Sequence, residues 1–133
     1  ICWDADFPNI IKQTGAQNVD LLIVPSQDWL GVRDIHANMV AFRAVENGVT
    51  IFRQTGQGVS LVSDAYGNVL NQIDTFEEPE SEFVGIQNMT VPITSVNTLY
   101  PKVGDTLGNM MLLGLLGLFV GMFAARRKNK PVA

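Results

Sequence analysis

Leu21-Leu22-Ile23-Val24, ended by Pro25, is a continuous apolar run, and it predicts a strand buried on both faces of a sheet. After a polar loop, Asp34 is placed to cap a helix running to about Asn47, with Gly48 just past its end. On that helix Ile35, Met39, Phe42 and Val45 recur at helical spacing and predict one apolar face. Val49–Arg53 reads as the next strand. Val59–Ser63, the turn Asp64-Ala65-Tyr66-Gly67 and Asn68–Ile73 read as a hairpin. Strand and helix alternate first and a hairpin comes after them, which argues for an α/β sheet system rather than a helical bundle.

Outward from this centre, Ile1–Trp3 reads as the end of a strand. Pro8 to Thr14 suits a short helix closed by Gly15. Gly56 and Gly58 bracket Gln57 in a loop where backbone can approach a ligand closely. Thr75–Glu82, with four glutamates and a proline, reads as an exposed loop. Phe83–Pro92 contains a further predicted strand, and Ser95–Asp105 is a polar lead into an apolar C-terminal stretch. The chain shows neither an internal repeat nor a low-complexity segment.

From Leu107 to Ala125 the sequence reads LGNMMLLGLLGLFVGMFAA, without a single charge, and Arg126, Arg127, Lys128 and Lys130 come directly after it. About 20 apolar residues span a bilayer as a helix, and a flanking basic cluster marks the cytoplasmic side. A buried core helix of this length would carry a polar face. Residues 1–106 hold five Lys and Arg against thirteen Asp and Glu, a balance of −8, while the tail carries +4. The net charge of −4 thus combines an acidic body with a basic anchor. The expected organisation is a body over 1–100, a linker over 101–106, a transmembrane helix over 107–125 and a cytoplasmic tail over 126–133, with the body outside the cytoplasm. Gly117 and Gly121 form a small-xxx-small pair of the kind found between membrane helices.

Nothing points to nucleic acid, because the body is acidic and the basic cluster flanks the span. The single His36, early in its helix, lacks partners at metal spacing and reads as structural or surface, so no metal is expected. The chain opens on Ile1 rather than Met and shows no signal peptide, yet an external domain needs an export signal. The expectation is that upstream sequence precedes these residues.

Cys2 is the only cysteine of the 133 residues, so an internal disulfide is excluded. It lies just ahead of the predicted helix start at Pro8, where the positive end of a helix dipole favours the thiolate and nucleophilic attack. A lone cysteine is also commonly a small buried hydrophobe. Its surroundings decide between the two.

The segment Cys2-Trp3-Asp4-Ala5-Asp6-Phe7-Pro8 resembles the nucleophile motif of the nitrilase (carbon–nitrogen hydrolase) superfamily, Cys-(Tyr/Trp)-(Asp/Glu)-x-x-Phe-Pro. Ser26-Gln27-Asp28-Trp29 is a shortened match to that superfamily's Ser-Asn-x-x-Trp-like stretch, without its Asn. Arg43-Ala44-Val45-Glu46-Asn47 and Arg53-Gln54-Thr55-Gly56-Gln57-Gly58 occur in the same order as the family's patterns. The terminal span and basic tail, after Val91-Pro92-Ile93-Thr94-Ser95-Val96-Asn97-Thr98-Leu99-Tyr100, resemble the apolipoprotein N-acyltransferase branch. Asp4 stands where that branch usually carries Glu, and Trp3 where Tyr is common.

This resemblance implies the C-terminal part of a nitrilase-like α-β-β-α sandwich, with one transmembrane helix after it. It implies Cys2 as the nucleophile, the backbone N–H of Trp3 as an oxyanion donor and Asp4 as an orienting residue. Trp29 would line the substrate entrance, with a packing role equally open to it. The catalytic Glu and Lys of the superfamily lie upstream of the nucleophile, so these residues alone are expected to be inactive; Glu46 matches a structural position instead. The implied partners are a phospholipid acyl donor, a diacylated apolipoprotein acceptor and the inner membrane, with no cofactor. Two other readings stay open: a membrane-tethered amidase or nitrilase-like hydrolase acting on a small amide, and a non-catalytic anchored module in which Cys2 is core.

Overall fold

The computed structural model describes residues 2–76 and 90–128, in two compact units, Ile1–Lys102 and Val103–Ala133. In the first unit a 3-10 turn over Trp3–Asp6 leads into α1 (Pro8–Ala16), β1 (Leu21–Ser26), α2 (Arg33–Asn47), β2 (Thr50–Thr55), β3 (Val59–Ser63) and β4 (Val69–Asp74). The four strands form one sheet in chain order. β1 and β2 run parallel, with Val24 opposite Arg53, as a strand–helix–strand unit requires. β2, β3 and β4 are antiparallel, and a register shift lies at Val62/Ser63. The α/β class is as expected.

Pro8 opens α1, where its missing N–H costs nothing, and Phe7 is the cap residue. The helix runs through Gly15 to Ala16 and stops before Asn18, whose φ of 52° breaks the helical path. The predicted stop at Gly15 is therefore too early. Of the strand end predicted at Ile1–Trp3, Ile1 lies outside the described residues, and Cys2 and Trp3 are not strand: Cys2 caps the 3-10 turn and Trp3 begins it. Most of the strand predicted within Phe83–Pro92 lies outside the described residues, and Thr90–Pro92 has no regular structure.

Two clusters fill the space between helices and sheet. Val24, Ile51, Val40, Ala44, Val49, Ile11 and Ala5 form the larger. Ala37, Val59 and Leu61 form the smaller. Each fully buried Val or Ile contributes about 1.5–3 kcal/mol by leaving water. The buried stripe of α2 is Ala37, Val40, Ala44 and Asn47, not the predicted Ile35, Met39, Phe42 and Val45. Phe42 is 67% exposed. Small residues let the helix approach the sheet closely, and Ile35 and Phe42 are left exposed while Met39 is half-buried. The reading of β1 as buried on both faces also changes: Val24 is fully buried on the helix side, whereas Ile23 is 55% exposed on the other.

Gly48 ends α2 in the left-handed conformation, as expected, with φ of 63°. A Cβ there would sit 1.7 Å from the Val96 carbonyl oxygen. The Val96 N–H donates to the Gly48 carbonyl at 2.7 Å, and the Thr98 hydroxyl donates to the Glu46 carbonyl at 2.6 Å. The Val96–Thr98 segment is thereby held against the end of α2. Arg43 ties the same helix to the 3-10 turn through the Ala5 carbonyl and pairs with Glu46.

α3 is a single helical turn, Tyr100–Val103, inside the predicted polar lead. In the second unit α4 (Thr106–Lys128) is helical throughout. Its Thr106–Ala125 stretch is long and apolar enough to cross a membrane, and none of it is buried.

Candidate active site

Cys2 is half-buried at the start of the 3-10 turn. Its thiol donates to the Gln27 carbonyl at 3.4 Å, and the Gln27 N–H donates to Sγ at 3.5 Å. The nucleophile turn and the loop after β1 therefore meet at the sulfur. Cys2 caps the 3-10 turn rather than α1, which begins only at Pro8.

Trp3 and Trp29 stand beside this contact, 55% and 58% exposed, with ring centroids 6.3 Å apart and planes tilted by 43°. His36 meets both edge-on, at 6.1 Å from Trp3 and 6.4 Å from Trp29. Asp4 lies in the first turn, where its carbonyl accepts the Phe7 N–H at 3.1 Å. The structure thus gathers Cys2, Trp3 and Trp29 at one corner of the sheet, at the C-terminal end of β1, with Asp4 in the same turn.

Beneath them lies a network that the sequence motifs do not announce. Asp28 is buried and receives Arg53 Nη2 at 2.7 Å on one oxygen and His36 Nδ1 at 2.9 Å on the other. His36 Nε2 lies 3.2 Å from the Asp6 carboxylate. His36 is therefore neither a surface residue nor an idle one. The two carboxylates sit on opposite nitrogens of the ring and do not converge on one point, and no group of three metal-ligand side chains occurs among the described residues. Asp28 is visible in the sequence only as a member of Ser26-Gln27-Asp28-Trp29. Its buried cation, Arg53, lies 25 residues away, and only the parallel register of β1 and β2 joins them.

The Gln57 loop borders the same corner. The Asp28 N–H donates to the Gln57 carbonyl at 2.9 Å, and the Gln27 and Gln57 side chains meet at 3.5 Å. Gly58 has φ of 119°, and a Cβ on it would lie 2.7 Å from Asp28 Oδ2. Glycine is required there because backbone passes directly over a buried carboxylate.

No protein-family model matches the chain. Among solved structures, the Saccharomyces cerevisiae Nit3 protein, a member of branch 10 of the nitrilase superfamily, shares the fold at TM-score 0.51 and 23% identity, over 55% of this chain and 31% of its own. An amidase from Nesterenkonia sp. AN1, with the acetamide moiety of fluoroacetamide covalently attached at its active-site cysteine, matches at TM-score 0.50 and 26% identity over the same shares. The fold is that of the nitrilase superfamily, as the nucleophile motif implied.

Curated relatives narrow this further. An apolipoprotein N-acyltransferase of Shewanella oneidensis is 31% identical over 98% of this chain, and one of Haemophilus influenzae is 32% identical over 90%. One of Borreliella burgdorferi is 26% identical over 87%. The chain spans 22–24% of the length of these relatives. The resemblance read from Cys2–Pro8, Arg43–Gly58 and the terminal span is borne out at the level of both superfamily and branch.

Proposed function

We propose that this chain carries the nucleophile and the membrane anchor of an N-acyltransferase that moves an acyl chain from phospholipid to the α-amine of a lipidated N-terminal cysteine on an apolipoprotein. The observation that carries the reading is the Cys2 thiol beside Trp3 and Trp29, in a chain whose relatives along 87–98% of its length bear that name.

In this reading the Cys2 thiolate attacks the ester carbonyl of the phospholipid, forming a C–S bond and a tetrahedral oxyanion. The oxyanion collapses, the ester C–O bond breaks, and lysophospholipid leaves with the proton taken from the thiol. The acceptor amine then attacks the thioester, loses a proton to the base and releases Cys2 as the amide forms. The Trp3 backbone N–H holds the oxyanion together with a Lys, and a Glu moves the protons; the resemblance puts both groups upstream of Cys2. Asp4 orients the turn, and Trp29 lines the acyl entrance. α4 anchors the site in the inner membrane where donor and acceptor both reside, with the body on the extracytoplasmic side and the basic tail in the cytoplasm.

The test uses the protein expressed from its whole coding region, in membranes, with a phospholipid bearing a tagged acyl chain. A hydroxylamine-sensitive tag on Cys2, absent in Cys2→Ser and discharged by a diacylated lipopeptide, is the expected result. A second reading, a membrane-tethered hydrolase of small amides, is favoured by the likeness to the Nesterenkonia amidase. Ammonia release from short amides without lipid labelling would select it.

A further inference from the structure

His36 occupies a position that the proposed chemistry does not use. One ring nitrogen faces Asp6, in the turn that carries Cys2, and the other faces Asp28, in the loop that carries Gln27 and Trp29. Its ring edge meets both indoles. The side chains of Asp6, His36 and Asp28 are 15%, 14% and 0% exposed, so water screens these contacts little. Each ring nitrogen lies within hydrogen-bond reach of one carboxylate, at 3.2 Å from Asp6 and 2.9 Å from Asp28. Arg53 fixes the far oxygen of Asp28, which leaves its near oxygen aimed at His36.

We infer that His36 is a positioning residue for the nucleophile: it clamps the Cys2 turn to the Trp29 loop, and so sets both the sulfur and the aromatic wall beside it. The path is short. The nucleophile motif meets the rest of the fold through Cys2 Sγ on Gln27, through the Ala5 carbonyl on Arg43 Nε, through the Trp3–Trp29 ring contact and through Asp6 on His36. The sulfur contacts are weak hydrogen bonds, and Arg43 holds the turn to α2 rather than to the Trp29 loop. The Asp6–His36–Asp28 bridge adds the side-chain link between the Cys2 turn and the Trp29 loop, and it rests on α2 and, through Arg53, on β2.

The clamp deepens the acyl-transfer reading and rests on it, so the experiment has two arms. In the whole protein in membranes, His36→Gln is expected to slow acyl-thioester formation at Cys2 by about tenfold or more, as loss of alignment does, with little change in the KM for phospholipid. Asp6→Asn, which leaves Asp28 and Arg53 intact, is expected to act in the same direction. The double variant should be no slower than His36→Gln alone, because both changes open the same bridge. In the second arm, iodoacetamide alkylates Cys2 without any acyl donor. The freed turn exposes the half-buried sulfur, so both single variants are expected to alkylate about threefold faster than the parent at an unchanged melting temperature, with Asp6→Asn as the variant least able to unfold the body. Acylation at the parental rate in His36→Gln, or losses that multiply in the double variant, would overturn the proposal. Should the parent form no thioester, the acyl-transfer reading falls, and the alkylation arm still decides: faster alkylation upholds the clamp, and equal rates reject it.

Discussion

Arg53 and Asp28 meet at 2.7 Å, with side chains only 2% and 0% exposed, and this pair joins the middle of the sheet to the loop that lies over Cys2. Arg53 also donates to the Val59 carbonyl, so one guanidinium holds β2, β3 and the Trp29 loop together. The core charge and the candidate site are one construction.

Removing either partner leaves the other charged and buried. Arg53→Met is expected to destabilise the body by about 3–5 kcal/mol, the cost typical of a broken buried pair. Urea titration followed by tryptophan emission checks this, since Trp29 follows Asp28 in the chain and Trp3 packs against Trp29. A loss below about 1 kcal/mol would mean that water reaches Asp28 in the folded protein.

Gly58→Ala tests the close approach over the same carboxylate. Both the φ of 119° and a Cβ 2.7 Å from Asp28 Oδ2 oppose a side chain there. The expected cost is about 1–3 kcal/mol, the range for strained backbone, together with slower thioester formation as Asp28 is pushed aside. Gly56→Ala is the control, because its nearest neighbour is Gln27 Oε1 at 3.8 Å and its φ is not left-handed. Equal effects of the two substitutions would remove the steric argument.

Trp29→Ala separates lining from packing. The side chain is 58% exposed and touches Trp3 and His36 rather than the core, so little stability should be lost. In the acyl-transfer reading the KM for phospholipid rises by roughly threefold to tenfold, the size expected for a lost apolar wall. An unchanged KM with a large drop in melting temperature would return Trp29 to a packing role.

The α/β order, the hairpin and the Gly48 cap are legible in the sequence because each is written locally: an apolar run, a helical period, a turn residue just past a helix end. The buried face of α2 is not. Ile35, Met39, Phe42 and Val45 give the stronger period by hydrophobicity, but the sheet selects Ala37, Val40 and Ala44, whose small side chains permit close approach. Hydrophobic size ranks residues; it does not say which stripe fits a given surface. Cys2 and Trp29 are legible from a motif. The bridge from Asp6 through His36 to Asp28 is not, because it joins residues 30 and 8 positions apart that only the packing of α2 on the 3-10 turn brings together.

Asp64 supplies the pH-dependent prediction. Burial acts to raise its pKa, but hydrogen bonds from the Asn68 side chain and from the backbone N–H groups of Asn68, Tyr66 and Gly67 outweigh it, and the net shift is downward. The Asn68 and Tyr66 N–H groups lie 2.9 Å from Oδ1, closing the turn between β3 and β4. A carboxylate with a depressed folded pKa adds stability that is complete above its unfolded value, about 3.9, and is lost as pH falls through the lower folded value. Asp64→Asn should therefore be less stable than the parent from neutral pH down to about pH 5, by about 1 kcal/mol or less for a turn near the surface. Below that the gap should narrow as the parental carboxylate takes up its proton. Urea midpoints for both proteins between neutral and strongly acidic pH measure it. A gap that stays constant through the acid range would mean that Asp64 titrates alike in the folded and unfolded chain, and that these hydrogen bonds do not favour its charged form.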